Sequence, residues 1–284
     1  LMDKWGGPGT GPGQFDTPHS IVVNEAGQVY VADRQNRRIQ IFDASGTYIK
    51  EWAYKGLPCG LHFTADYQLY MVSGFSGEIL KLDKNGKAIG AHGQPGKGLG
   101  EFGEAHYMTI TPAGDIFVAD GHGDNTNNRI VKFSKNGTFI TSWGKTGYGP
   151  GEFRTLHAIA MDAEGRIYVG DRSNNRIQIF DQEGEFLAQW TQFGRPSGIF
   201  FDDHGRIFVS DSESDDVNNP GFEMGIRIGE AKTGWVHEFI LYPWGDPRNT
   251  AGTGAEVVAV DRDGNIYGGE PRPRNLQKYV RVRP

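Results

Sequence analysis

A gapless internal repeat constrains this chain more than any other feature. Residues 19–43 (HSIVVNEAGQVYVADRQNRRIQIFD) and 157–181 (HAIAMDAEGRIYVGDRSNNRIQIFD) match along their whole length. Related units begin at His62, His106, Ser197 and Glu256, which makes six. Each unit reads as four short strands. A small apolar strand (20–23, 158–161) is followed by a Gly turn and an alternating Val-Tyr-Val or Ile-Tyr-Val strand. A third strand (38–42, 176–180) comes next, and after another Gly turn a fourth ends in Trp (49–52, 139–143, 186–190). Period-two alternation of β-branched and aromatic residues between Gly, Asp and Asn turns is the signature of strands and hairpins. Four-stranded units about 40 to 50 residues long are propeller blades, whereas a helical solenoid needs apolar spacings of three and four that no unit has.

The predicted fold is therefore all-β, a six-bladed β-propeller occupying 1–284 as a single domain. The sixth unit supplies only three strands, while Leu1 to Trp5 (LMDKW) match the fourth strands at 139–143 and 186–190. The N-terminal strand should close the last blade and remove the open edge that a radial array otherwise leaves. The segments 9–15, 96–102 and 147–153, Gly-rich and ending in Phe, precede no helix. They read as blade-linking turns with Phe wedged between blades, not as phosphate loops.

Composition narrows the function classes. Acidic residues (35) outnumber Lys and Arg (29) for a net charge of −6, so the overall field repels phosphate backbones and no nucleic-acid partner is expected. No apolar run nears the ~18 residues of a membrane helix, so no membrane partner is expected either, and the protein should be a soluble monomer. A lone cysteine, Cys59, excludes an internal disulfide. The chain opens at Leu1 without a charged-then-apolar leader, as expected if any targeting signal was removed or never present.

Alternating strand direction puts the start of every first strand and every second-to-third loop on one face. The first-strand starts are His19, His62, His106, His157, Ser197 and Glu256, so four of the eight histidines should ring one channel mouth. Interblade packing could preserve a histidine in each unit. Imidazoles facing a shared axis beside a carboxylate instead point to a divalent metal, with Zn, Fe or Mn the candidates for N and O donors without thiolate. His122, in a top-face loop, can reach over the channel. The pairs Asp33-Arg34 and Asp171-Arg172 suit either loop bracing or substrate contact. The long loop 212–225, with Glu213, Asp215 and Asp216, reads as a lid or a calcium loop, without the EF-hand spacing.

The units resemble NHL repeats, and 116–180, including NRIVKFSKNGTFITSWG at 128–144, resembles the peptidyl-α-hydroxyglycine α-amidating lyase family. The resemblance implies a six-bladed propeller with a channel zinc held by histidines from alternate blades, a nearby calcium, and cleavage of a carbinolamide C–N bond. Carried over residue by residue, the ligands are His62, His157 and Glu256, and the top-face arginines are Arg34 and Arg172. The family's catalytic Tyr is His122 here, and the Asp after its third ligand is Val257. His19 and His106 occupy blades where the family has no histidine, and can form or complete a different metal set. The expectation is a metal-dependent lyase acting on a small-molecule or peptide-derived substrate, polar or carboxylate-bearing, with His122, Arg34 and Arg172 as catalytic residues. The family's habit implies a periplasmic or secreted location, with the cytoplasm left open. A non-catalytic NHL scaffold for a protein or glycan, and a metal-dependent lactone or ester hydrolase, are the alternatives.

Overall fold

Residues 2–74, 76–123, 126–242 and 253–281 are described by a computed structural model. Leu1, assigned above to the closing strand, lies outside the described residues. So do Phe75 in the blade-two loop and Asp124 and Asn125 in the His122 loop.

Six four-stranded antiparallel sheets follow the six units. Blade one comprises Pro18–Val23, Val29–Asp33, Arg38–Phe42 and Tyr48–Ala53. Blade three comprises Ala105–Ile110, Ile116–Asp120, Arg129–Phe133 and Phe139–Trp143, and blade four Leu156–Met161, Ile167–Asp171, Arg176–Phe180 and Phe186–Trp190. Each first strand packs against the first strands of both neighbouring blades, and the sixth returns to the first, so the ring is closed. In the last blade Met2–Gly6 pairs antiparallel with Asn275–Tyr279, from Met2 opposite Tyr279 to Gly6 opposite Asn275. Closure by the N-terminal strand is thus as expected.

The interblade cores explain the repeated aromatics. Phe15, Phe102 and Phe153 from the Gly-rich links are buried, with Phe15 joining Val29, Val31 and Phe42 of blade one to Tyr267 and Leu276 of blade six. Gly93 and Gly144 precede these links with φ of 85° and 105°, and a Cβ on either would strike Phe102 or Phe153. No L side chain fits there comfortably. The links are also held electrostatically. Asp33 accepts from Asp16 N (2.7 Å), Asn36 (2.8 Å), Arg38 Nε (2.8 Å) and Gln40 (3.1 Å), while the Arg38 guanidinium caps the carbonyls of Thr10, Gly11 and Gln14. Asp171 and Arg176 repeat the device in blade four. These buried aspartates are braces with their acceptor capacity filled.

The structure corrects one register. In blade two Leu57 pairs with Gly74, Pro58 with Ser73, Leu61 with Met71 and His62 with Tyr70. Cys59 therefore stands where His19 stands in blade one, and His62 is three residues further along, level with Val22, which pairs with Tyr30.

Trp5 of the closing strand packs on Phe42 and Tyr267, with ring centroids 6.4 and 6.2 Å away, and so ties blade six to blade one. Trp5→Ala should cost about 3 kcal/mol, which lowers the thermal midpoint by roughly 6–12 °C. Deleting residues 1–6 should cost more, because it exposes Asn275–Tyr279 as an open edge. Calorimetry of both proteins checks this.

Candidate metal centre

One backbone irregularity recurs in each of the first five inner strands. The pairing with the second strand slips between Pro18 and Ser20, Pro58 and Leu61, Ala105 and Tyr107, Leu156 and Ala158, and Pro196 and Gly198. A bulge re-aims the residue it carries. The bulged residues are His19, Cys59 (with Gly60), His106, His157 and Ser197, and Glu256 precedes the first paired residue of blade six. The bulges of blades one, three and four deliver their imidazoles to one point. The ligand nitrogens of His19, His106, His157 and His122 all lie within 4.8 Å of one another. Four nitrogens around one zinc at about 2.0–2.1 Å sit about 3.4 Å apart, so small side-chain adjustments suffice.

The hydrogen bonds define which nitrogens are available. His157 Nδ1 lies 2.7 Å from the carbonyl of Ser197, which can only accept, so Nδ1 carries the proton. In a neutral ring Nε2 then bears a lone pair, yet it faces Glu256 Oε1 at 3.0 Å. Two acceptors in contact require a proton or another cation between them. On His19, the Tyr107 hydroxyl donates to the backbone carbonyl and lies 3.4 Å from Nδ1. The phenol oxygen is thus placed to accept from Nδ1–H, which leaves His19 Nε2 as a lone pair 3.1 Å from His106 Nε2. His106 Nδ1 and His122 Nε2 are buried and have no hydrogen-bond partner.

Burial keeps these rings neutral. It holds His19, His106 and His157 well below the ordinary imidazole value, with neighbouring imidazoles and the Arg34 and Arg172 charges acting in the same direction on most of them. His122 is pushed down to about 2 by burial, then by His157 and Arg172. Its ring stacks on His106 at 3.7 Å and 11°, and its Nδ1 is 3.7 Å from Glu104. A cluster of neutral imidazoles beside a carboxylate offers lone pairs, which suits a metal and leaves the rings poor proton donors.

Two arginines flank the cluster, both from the turn after a second strand. Arg34 N and Arg172 N donate to the carbonyls of Thr17 and Thr155, the same position in two blades. Arg172 is 7% exposed and its Nη1 is 3.6 Å from Glu256.

The structure brings together His19, His106, His122, His157, Glu256, Arg34 and Arg172. It does not bring His62, which lines a cavity of about 610 Å³ opening toward the other face with Val22, Thr109 and Phe200. Burial alone holds His62 down to about 4. Tyr107, which sequence reasoning missed, stands between the two ends: it lines this cavity and packs against His19, His106 and His157. The residues at its level are Ser20, Gly60, Ala158 and Gly198 in blades one, two, four and five and Val257 in blade six, so four small residues admit one large ring. That contrast was a readable signal. Of the acids in the 212–225 loop, Glu213 faces Arg172 and Arg195 at 3.5 and 3.3 Å, and Asp215 caps its own turn at Val217 and Asn218.

Comparison with known proteins agrees with this architecture. A six-bladed β-propeller family profile matches residues 111–191, and an NHL repeat profile matches 15–42. Human NHL repeat-containing protein 3 is 31% identical over half of this chain and 45% of its own length. Rat peptidylglycine α-amidating monooxygenase is 32% identical over 37% of this chain and 12% of its own length. The chain thus spans less than half the length of these curated relatives. Virginiamycin B lyase from Staphylococcus aureus shares the fold over 99% of both chains, with a TM-score of 0.66 at 15% identity. The described residues form a six-bladed β-propeller that carries an NHL-repeat match at 15–42 and shares distant homology, over part of its length, with peptidylglycine α-amidating monooxygenase.

Proposed function

We propose that the protein is a metal-dependent lyase whose ion sits at the hub between His19, His106 and His157. The observation that carries this reading is the convergence of ligand nitrogens from His19, His106, His122 and His157 within 4.8 Å of one another, in a set of buried imidazoles held neutral beside Glu256. The donor set fits: three strand-borne imidazoles leave a position open, the pattern of catalytic sites. A divalent ion there supplies a Lewis acid for a hydroxyl or carbonyl oxygen of the substrate. Zinc suits the nitrogen donors best, with iron and manganese next.

The chain's own residues do the rest. The Ser197 carbonyl and the Tyr107 hydroxyl orient His157 and His19 through their Nδ1 atoms, as outer partners of ligating histidines do. Arg34 and Arg172 hold an anionic group of the substrate beside the cluster. Glu256 is the candidate to move the proton when the C–N or C–O bond breaks, while His122, the cluster's loop-borne and partly exposed member, is held neutral and serves as a hydrogen-bonding group to the substrate. Similarity to an amidating monooxygenase and to the fold of a lyase favours elimination over a scaffold role.

Protein purified without chelator should contain about one equivalent of transition metal, and the double variant His106→Ala/His157→Ala should contain less than about a tenth. Wild-type protein that is metal-free by elemental analysis would remove the mechanism. Tyr107→Phe should fold normally and bind zinc about 10 to 100-fold more weakly in a competition titration.

A pH effect follows from the depressed imidazoles. After metal removal, the unfolded chain takes up protons below about pH 6.5 that the folded cluster refuses, so stability is full above that value and lost as pH falls. The urea midpoint of the metal-free protein should fall between about pH 7.5 and about pH 5, and fall less in His106→Asn.

A further inference from the structure

Beside the hub lies a pair of buried guanidinium groups whose hydrogen bonding is incomplete. Arg172 leaves the short 3₁₀ turn Arg172–Asn174 after the second strand of blade four. Arg195 leads into Pro196–Phe201, the first strand of blade five. They are 7% and 8% exposed. The bracing arginines elsewhere cap carbonyls and aspartates, as Arg38 and Arg176 do. These two are different. Arg172 Nε and Nη1 and Arg195 Nε are buried without a hydrogen-bond partner among the described residues. Among the described residues Arg195 Nη1 bonds Asn175 Oδ1 at 3.2 Å and Nη2 pairs with Glu213.

What faces them is Glu213. Its Oε1 is 3.5 Å from Arg172 Nη1 and its Oε2 is 3.3 Å from Arg195 Nη2, both longer than the ~2.7–2.9 Å of a good charge-assisted bond. One carboxylate straddles two forks and fits neither. Its side chain is 34% exposed, so it can turn out to solvent. The loop that carries it is fixed independently of this contact. Ser214 is bonded to Asp211, Asn219 to Ser214, Asp215 caps Val217 and Asn218, and Asn175 holds the Asn218 carbonyl. Releasing Glu213 therefore takes a side-chain rotation and no loop opening.

We infer that Arg195 joins Arg172 in gripping a carboxylate of the substrate, and that Glu213 is the internal placeholder of this Arg172–Arg195 fork, displaced when the substrate enters. Arg172 also lies 3.6 Å from Glu256, so a carboxylate seated here is next to the His157 end of the cluster. This points to a substrate with a carboxylate a short distance from the reacting centre, and it selects against neutral analogues, which cannot displace Glu213. The inference rests on the proposed hub reaction for its biological sense, while the subsite itself stands on the geometry of three side chains.

The test is calorimetric titration of malonate into the purified protein, with metal content measured on each sample. Glu213→Gln, which keeps the shape and removes the charge, should tighten malonate binding about tenfold by removing the competitor. Adding Arg195→Met should abolish that gain, and Arg195→Lys, which keeps charge but not the fork, should keep only part of it. Unchanged or weaker binding in Glu213→Gln, or a gain that survives both Arg195 changes, overturns the inference. The outcomes are separable: metal-free samples would defeat the hub reading, while the ratio between the two proteins still decides the subsite.

Discussion

Desolvation of imidazole at the hub is the constraint on which the site depends. A histidine in water takes a proton near pH 6.5, and one enclosed by other histidines and two arginines does not. His19, His106 and His157 are buried and their ring nitrogens meet at close range. Once the Ser197 carbonyl and the Tyr107 hydroxyl fix the protonated nitrogen on two of the rings, the lone pairs of His157 Nε2 and His19 Nε2 face Glu256 and His106. Such a set is well matched to a cation. The propeller provides it without a dedicated loop: one bulge at the start of the first strand in blades one to five, used in three of them, turns a packing position toward the hub.

The same fold separates support from chemistry within a few residues. Asp33 and Asp171 saturate their oxygens with Arg38, Arg176 and the link backbones, which ties the blades together. The next residues, Arg34 and Arg172, turn to the hub. In the pairs that suggested either bracing or substrate contact, the acid thus takes the bracing role. Tyr107 adds a division along the axis. It fills the channel at a level where Ser20, Gly60, Ala158 and Gly198 leave space, so the cluster and the 610 Å³ cavity containing His62 are different environments.

Much of this was legible in the sequence because propeller blades are local. Strand alternation, the Gly turns and the Phe15, Phe102 and Phe153 wedges each involve neighbouring residues, and the closing strand could be recognised from its likeness to 139–143 and 186–190. Blade two was misregistered because its histidine attracted the alignment. Pro58-Cys59 repeats Pro18-His19 and Pro196-Ser197, and the proline, not the imidazole, marks the start of the strand. A three-residue slip moves a side chain from the mouth to a deeper level, which is why His62 stands apart. The pairing of His157 with Glu256 and the loose fit of Glu213 between two arginines involve chain-distant partners and distances, and no local pattern encodes either.

The most direct test of the account is X-ray absorption at the metal edge of protein purified without chelator. Imidazole from three buried histidines should give a shell of nitrogen donors at about 2.0–2.1 Å with the multiple scattering of histidine rings, and the ring signal should shrink in His106→Ala. An absent edge, or a shell of light donors with no imidazole scattering, would contradict the claim that the hub histidines hold a metal.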